Sequence, residues 1–389
     1  MKISQIAKRG IAAAMIAAFV FVAYATDDTA FGNDGIDRSD PNFVTASLLI
    51  MSPGNELYSC AGHSCIRLEC PTFNLDYCFS YESEGVTDKI FTFLMGKLKM
   101  GMFAVPTDDY LKIGQGSGRG VTQYRLNLPP DVKQRLWKIL DERVAEGYCL
   151  PYDYIEHGCA QSIFQVIIQA LRPYEMVVSP WPEKYSRWTR REFVAASTGD
   201  YPWQQFILYS LCGTATDKMV SKTKNVVMPL DLLEILCMAK VNGEPILVED
   251  GVELLPVKAN GSSCLVTPFV VSCIIVVLAV ASWFMKSVWL DWLFLIFQSL
   301  AGAFFTYLVA FSSLPATDWN WLIVPFNLLP LVFWYWRRKW ALWFVLVLVA
   351  WEVGMILYPH RLTDPAYLVL VGAYILFYLK FVRMRGVKK

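Results

Sequence analysis

Cys159 is the residue whose surroundings in the sequence are most typical of a nucleophile. It lies in the segment YDYIEHGCAQSIFQVIIQALRP, where a polar, turn-rich stretch is followed by apolar residues at helical spacing. These apolar residues are Ile163, Phe164, Ile167, Ile168 and Leu171, and Pro173 ends the run. The pattern places Cys159 at or near a helix N-terminus, where unpaired backbone amides and the helix dipole stabilise a thiolate.

A nucleophilic cysteine needs a base within hydrogen-bonding reach, and the chain has three histidines, His63, His157 and His360. His360 lies between two of the membrane spans predicted below, in a loop on the outer side of the membrane. His157 is two residues from Cys159, in the same tight turn, where an in-line geometry is harder to arrange. His63 follows Gly62, which would let another element pack closely, so we predict His63 as the base and His157 as the poorer second choice. Taken alone, a strand histidine or a helix-start cysteine is more often a packing residue; the pair is more specific.

The elements that must position this pair begin with predicted strands. They cover Phe43–Met51, Tyr58–Leu68, Leu75–Tyr81 and Val121–Leu128. Alternation along the second strand puts His63, Cys65 and Arg67 on one face. The glycine-rich stretch IGQGSGRG lacks the context of a phosphate loop, and we interpret it as a flexible connection. Pro129, Pro130 and Asp131 are predicted to start a helix that runs to about Val144.

The composition indicates a membrane protein. Of 389 residues, 55% are hydrophobic and only 18% are charged, against about 25% in soluble domains. The net charge of +1 argues against a nucleic-acid partner, which needs a basic face. Apolar residues concentrate between 266 and 382, where we predict five membrane spans: Val266–Met285, Trp289–Phe311, Trp319–Trp336, Trp340–Tyr358 and Ala366–Val382.

The N-terminus has the features of a secretory signal. Basic residues precede the apolar run Ile11–Ala25, which ends in the cleavage pattern Ala23-Tyr24-Ala25. The run is shorter than the roughly 20 residues of a spanning helix. We therefore predict a signal peptide over residues 1–25, with a retained signal anchor as the alternative.

Charge asymmetry gives the same orientation for the rest of the chain. With residues 26–260 exported, the inner loops receive Lys286, Arg337, Arg338 and Lys339, and the outer loops receive only Arg361. The predicted domains are the signal (1–25), a periplasmic catalytic domain (26–260), a membrane domain (266–382) and a cytoplasmic basic tail (383–389). Pro325 and Pro330 predict a kinked or broken third span, and Glu352 is either a functional carboxylate or a partner within the bundle.

Cysteine counting adds one constraint. Nine cysteines precede the spans, at positions 60, 65, 70, 78, 149, 159, 212, 237 and 264. An odd number cannot pair completely, so at least one thiol is expected to stay free. The spacing of the first four around His63 does not favour zinc over disulfides or buried thiols.

The chain resembles the N-terminal periplasmic domain of the Lnb-type lipoprotein N-acyltransferase family of Bacteroidota. The resemblance is carried by the stretches LLIMSPGNELYSCAGHSCIRL, LDYCFSYE, GRGVTQYRLNL and YDYIEHGCAQ, and it continues in order through about residue 258. It implies an α+β domain with an antiparallel sheet plus helices, similar to permuted NlpC/P60 and lecithin:retinol acyltransferase-like thiol enzymes. This domain would stand on an all-α membrane domain of five helices in the bacterial inner membrane.

The resemblance also implies a reaction. His63 would activate Cys159, which would take an acyl chain from a membrane phospholipid as a thioester. The acceptor would be the α-amino group of a diacylglyceryl-modified lipoprotein cysteine, with no cofactor, metal, nucleotide or nucleic acid involved. Asp76 matches an acidic position of the family and is expected to orient His63. The chain has His157-Gly158 where the family usually has Asp-Asn.

Three other functions remain open from the sequence. A membrane-tethered cell-wall peptidase or amidase would use the same Cys–His pair. A phospholipase, or an acyltransferase with another acceptor, would share the first half-reaction. A non-enzymatic assembly protein would tolerate loss of both residues.

Overall fold

A computed structural model describes residues 37–83, 89–154, 157–220, 226–247, 250–258, 265–285, 288–358 and 364–386. The predicted signal (1–25), Lys286, His360 and Arg361 lie outside the described residues. Within them the chain forms two compact units. The first contains the residues up to Phe93, Lys97–Arg187 and the stretch from Val220 to 258; the second contains Leu94–Gly96, Trp188–Met219 and the residues from 265 onward. Residues 188–219 therefore group with the C-terminal helices, whereas the predicted domain of residues 26–260 included them.

The first unit is built on an antiparallel sheet of seven strands. They are β1 (Thr45–Met51), β2 (His63–Cys70), β3 (Leu75–Ser83), β4 (Lys99–Pro106), β5 (Val121–Arg125), β6 (Cys149–Pro151) and β10 (Val252–Leu255). Their order across the sheet is β10-β5-β1-β2-β3-β4-β6. A second, three-stranded sheet contains β7 (Met176–Val178), β8 (Ala239–Val241) and β9 (Glu244–Pro245). The structure thus has the antiparallel sheet with helices that was expected.

The register between β2 and β3 is set by a tight connection. A short 3₁₀ helix, Pro71–Phe73, ends at Asn74 in a left-handed conformation with φ 52°. As a result Cys70 pairs with Leu75, and Cys65 pairs with Ser80. Directly opposed residues of antiparallel strands point to the same face of the sheet.

Helices of the first unit cover the sheet. They are Ile90–Leu94, Thr107–Gly116, Pro130–Ala145, Cys159–Leu171, Lys184–Arg187 and Pro229–Met238. Helix Thr107–Gly116 supplies Tyr110 to a buried cluster with Leu49, Met51, Cys65, Cys78 and Val121 on one face. Helix Cys159–Leu171 packs against β2 and β3. Alternation along the strands places the buried residues Leu48, Ile66 and Phe79 on the other face.

The glycine-rich stretch differs from the expected flexible connection. Its first half continues helix Thr107–Gly116, and only residues 117–120 remain outside regular structure. A Cβ on Gly114 would lie 3.1 Å from the Leu255 side chain and 3.3 Å from the Val121 side chain. A larger residue at Gly114 would push the helix away from the sheet, so close packing, which local sequence does not reveal, accounts for this glycine.

The second unit contains helices Arg190–Thr198 and Pro202–Leu211 and the C-terminal helices Pro268–Ala281, Trp289–Phe311, Leu329–Val332, Arg337–Leu357 and Pro365–Gly386. Among the described residues, three helical stretches are long and apolar enough to cross a membrane: Trp289–Phe311, Trp334–Leu357 and Pro365–Met384. Helix Pro268–Ala281 is apolar but shorter.

The predicted third span, Trp319–Trp336, is not one continuous helix. It consists of the short pieces Trp321–Ile323, Leu329–Val332 and Trp334–Trp336. Pro325 and Pro330 lack the N–H that a helix interior requires, which accounts for the interruption. Three of the five predicted spans are therefore seen as candidate membrane helices, and the other two stay predictions.

Candidate active site

Cys159 is the first residue of helix Cys159–Leu171, as the sequence predicted. Gly158 precedes it in an extended conformation and provides no side-chain cap. The helix is anchored by its apolar face, because Ile163, Phe164 and Ile167 are at most 2% exposed. The Ser162 N–H donates to the Gly158 carbonyl at 3.0 Å, so the helical hydrogen bonds begin at Ser162. The N–H groups before it, that of Cys159 included, have no intrahelical acceptor and favour negative charge nearby.

The thiol of Cys159 and the imidazole of His63 are close enough for each to shift the pKa of the other. Ser64, next to His63 in the chain, also acts on the pKa of the thiol, although its hydroxyl oxygen makes no hydrogen bond with any group that the structure describes. His63 begins β2, and its side chain is 15% exposed. The fold thus brings together the two residues that the sequence analysis paired.

The His63 ring is held on its other side by β3. Its Nε2 lies 2.6 Å from Oγ of Ser80 and 3.2 Å from Oε1 of Glu82. The Ser80 hydroxyl donates in turn to Oε1 of Glu82 at 2.8 Å. Because Nε2 is engaged there, Nδ1 is the ring nitrogen available to share a proton with the sulfur. Serine, glutamate and histidine form one connected network behind the thiol.

Electrostatics in this network favour a thiolate–imidazolium pair. Burial works against a charged His63, but Glu82 and Cys159 outweigh it and raise the pKa of His63 to about 10. Burial would likewise raise the pKa of the Cys159 thiol, but the neighbouring His63 and, to a smaller extent, Ser64 lower it overall. Desolvation works against a charged Glu82, but His63 and Ser80 outweigh it and lower the pKa of this carboxyl. With a pKa of about 10, His63 is protonated near neutral pH.

Asp76, the expected orienting residue, lies elsewhere on the sheet. Its carboxylate accepts hydrogen bonds from Nε and Nη2 of Arg67 at 2.8 and 2.7 Å, and from Oγ1 of Thr107 at 2.5 Å. Asp76 pairs with Glu69 in the register of β2 and β3, six residues along the strand from His63. The same register, continued, places Glu82 opposite His63. Glu82, and not Asp76, is thus the carboxylate beside the imidazole.

The sequence contained a signal for Glu82. It is the last residue of the stretch LDYCFSYE, and a tight turn over residues 71–74 would have predicted its pairing with His63. The alternative base, His157, is exposed, and its N–H donates to the Asp153 carbonyl at 2.9 Å.

The backbone conformation explains why residue 62 is a glycine. Its φ is +84°, and a Cβ there would lie 3.0 Å from the Met51 carbonyl oxygen. Only glycine adopts this conformation without strain, and the resulting turn delivers His63 to the first position of β2.

The cysteines in the part of the chain that the structure describes are all free thiols. They are Cys60, Cys65, Cys70, Cys78, Cys149, Cys159, Cys212, Cys237 and Cys273. The same part of the chain contains no group of three or more His, Cys, Asp and Glu side chains that could hold a metal ion. Cys65 and Cys78 lie in the same buried cluster, and Sγ of Cys78 is 3.5 Å from Oγ1 of Thr107.

Residues 33–188 match the family model of the Lnb N-terminal periplasmic domain. This segment contains His63, Ser80, Glu82 and Cys159, so the whole network lies within the part of the chain that matches the Lnb domain. The resemblance to the Lnb-type family is confirmed over this segment, whereas the similarity to NlpC/P60 enzymes stays a prediction. The comparisons with curated proteins and with solved structures found no match. Together with the three apolar helices, the match indicates a membrane protein with a periplasmic domain.

Proposed function

We propose that this protein is a thiol-dependent acyltransferase of the bacterial inner membrane. It moves a fatty acyl chain from a phospholipid, through a thioester on Cys159, to the α-amino group of the lipid-modified N-terminal cysteine of lipoproteins. The observation that carries the proposal is the Cys159–His63 pair at a helix N-terminus within an Lnb-type domain. The lowered thiol pKa makes the sulfur a nucleophile without a further activating group.

The first half-reaction uses the pair as it stands. The Cys159 thiolate attacks the carbonyl carbon of a phospholipid ester, and a C–S bond forms as the carbonyl oxygen becomes an oxyanion. The backbone N–H of Cys159 at the helix start supports this oxyanion electrostatically. When the C–O bond breaks, the His63 imidazolium gives its proton to the leaving lysophospholipid oxygen. The products are a thioester and a neutral imidazole.

The second half-reaction returns the pair to its starting state. The neutral α-amine of the lipoprotein attacks the thioester carbonyl, and His63 accepts a proton from the attacking nitrogen. The C–S bond breaks, and the sulfur leaves as a thiolate next to the new imidazolium. Glu82 and Ser80 keep the ring in one orientation through both proton transfers, because both contact Nε2 and leave Nδ1 facing the sulfur.

The membrane helices suit this reaction. Both substrates carry acyl chains that stay in the bilayer, so an enzyme bound to the same membrane meets them without extracting them. The match to the Lnb domain supports lipoproteins, rather than cell-wall peptides, as the acceptor.

The test is mass spectrometry of lipoprotein N-termini in a strain lacking its own N-acyltransferase. The wild-type protein should add one acyl chain to the N-terminal cysteine, and Cys159→Ala and His63→Gln should add none. Cys237→Ala is the matched control, because Cys237 is an exposed thiol of the same unit outside the network. Acylation by Cys159→Ala would contradict the mechanism. No acylation by a wild-type protein that still forms an acyl-thioester would contradict the choice of acceptor.

A further inference from the structure

The loop after helix Thr107–Gly116 carries a buried arginine that the mechanism above does not use. Arg119 is only 9% exposed, and its Nε donates to the Ser52 carbonyl at 2.6 Å. The backbone holds this arrangement from both sides: the Ser52 N–H donates to the Gly120 carbonyl, and the Gly120 N–H donates to the Ser52 hydroxyl, each at 2.9 Å. The guanidinium is thus fixed at the end of β1.

Gly54 makes room for this side chain. A Cβ on Gly54 would lie 3.0 Å from Cδ of Arg119 and 2.8 Å from Oγ of Ser59. The backbone therefore approaches the arginine stem closely, which fixes the position of its charge.

Among the residues that the structure describes, none forms a direct ion pair with Arg119. Its Nη2 is buried and makes no hydrogen bond with any group that the structure describes. A buried guanidinium without a close counter-ion is costly unless negative charges act on it from further away. Arg119 lies at the same end of the sheet as the candidate active site, because Met51, the residue before its acceptor Ser52, pairs with His63. The titratable groups whose charges act on Arg119 are Tyr110, Glu82, Cys159 and Tyr58.

Two of these four groups belong to the candidate active site. Glu82 is negative when it orients His63, and Cys159 is negative when it attacks. Arg119 contributes to the lowered pKa of Glu82. Unlike His63, whose charge changes during the proposed cycle, an arginine stays protonated throughout.

We propose that Arg119 is a positioning residue whose permanent positive charge stabilises the Cys159 thiolate and the Glu82 carboxylate without contacting substrate. Its contribution matters most in the second half-reaction, when the thiolate leaves while His63 is only gaining its proton. The inference rests on the proposed function in one respect, the role of Cys159 as nucleophile.

The test measures the thiolate directly, in the full-length protein and without substrate. The rate of iodoacetamide alkylation is followed from about pH 4 to pH 10 and read at the Cys159 peptide by mass spectrometry, so that other thiols do not contribute. The titratable groups that act on Cys159 in this range are His63 and Glu82, since Tyr152 beside it has a raised pKa and stays neutral.

Removing the charge should move the alkylation midpoint upward by about one pH unit, the low end of the effect of a nearby charge. Arg119→Gln and Arg119→Met both remove the positive charge. If the Gln variant does not fold, the Met variant replaces it, because methionine buries no unpaired amide. Arg119→Lys keeps the charge and should restore a midpoint close to that of the wild type. Arg67→Gln is the matched control: it removes another part-buried guanidinium on the sheet and should lower thermal stability without moving the midpoint.

A wild-type midpoint in a folded neutral variant would overturn the proposal. So would a Lys variant that behaves like the Gln variant, because the effect would then not come from charge. If lipoproteins are not acylated but the midpoint still shifts, the proposed function fails and the role of Arg119 stands.

Discussion

Glu82→Gln should impair catalysis while leaving the fold intact, because it removes the charge beside His63 but keeps an oxygen for the hydrogen bonds. At the 3.2 Å between Oε1 and Nε2, an effective dielectric constant of about 20 gives roughly 5 kcal/mol as an upper limit. The Glu82 side chain is 49% exposed, so solvent screening reduces this to roughly 1–2 kcal/mol, or about one unit of the His63 pKa. We expect a fall of about 10- to 100-fold in acyl transfer.

Asp76→Asn should have the opposite profile. It removes the paired hydrogen bonds between Asp76 and Arg67. Arg67 still contacts Oε1 of Glu69 at 2.9 Å and Oε1 of Gln123 at 2.7 Å. We expect a loss of about 1–2 kcal/mol of unfolding free energy, or roughly 3–8 °C in apparent Tm. Arg67 and Thr107 lower the pKa of Asp76 below 3.8 despite its burial, so this stabilisation is present above that pH and is lost as the pH falls further.

The two variants are compared in one assay. Acyl transfer from phospholipid vesicles is measured per folded protein, and thermal unfolding is followed in parallel. The reasoning is refuted if Glu82→Gln transfers acyl groups at the wild-type rate while folded Asp76→Asn does not. That result would return the orienting role to Asp76.

Two further predictions concern the same part of the protein. Gly62→Ala should lower stability by about 1–3 kcal/mol, seen as a lower Tm, because alanine is strained at φ +84°; an unchanged Tm would contradict the glycine requirement. The ion pair of His63 and Glu82 should stabilise the fold fully between about pH 4.5 and 6.5. This stabilisation should disappear as the pH rises through about 10. A Tm difference between wild type and Glu82→Gln that persists at pH 11 would contradict the contribution of the ion pair.

The candidate nucleophile and its partner could be paired from the sequence because their signals are local. Apolar spacing after Cys159 defines a helix start, and the small number of histidines leaves His63 as the suitable base. The third member could not be found in the same way. Choosing between Asp76 and Glu82 requires the register of two strands, which depends on the conformation of the connection at residues 71–74.

Arg119 shows a second limit of local reasoning. The glycines around it are typical of a flexible loop, yet the loop is held by β1 and by the packing of Gly114 and Gly120 against neighbouring side chains. The guanidinium of Arg119 is buried because of these tertiary contacts, and the local amino-acid sequence does not predict its burial. The grouping of residues 188–219 with the C-terminal helices has the same origin, because it depends on contacts distant in the chain.

The central claim, that the acyl chain passes through the sulfur of Cys159, is tested most directly by trapping the intermediate. Purified full-length protein is incubated with phospholipid vesicles without acceptor, and the Cys159 peptide is analysed by mass spectrometry. We predict an added mass of one acyl chain, removed by neutral hydroxylamine and absent from Cys159→Ala. Acyl transfer that proceeds with no adduct on Cys159, or with the adduct on another thiol, would contradict the account.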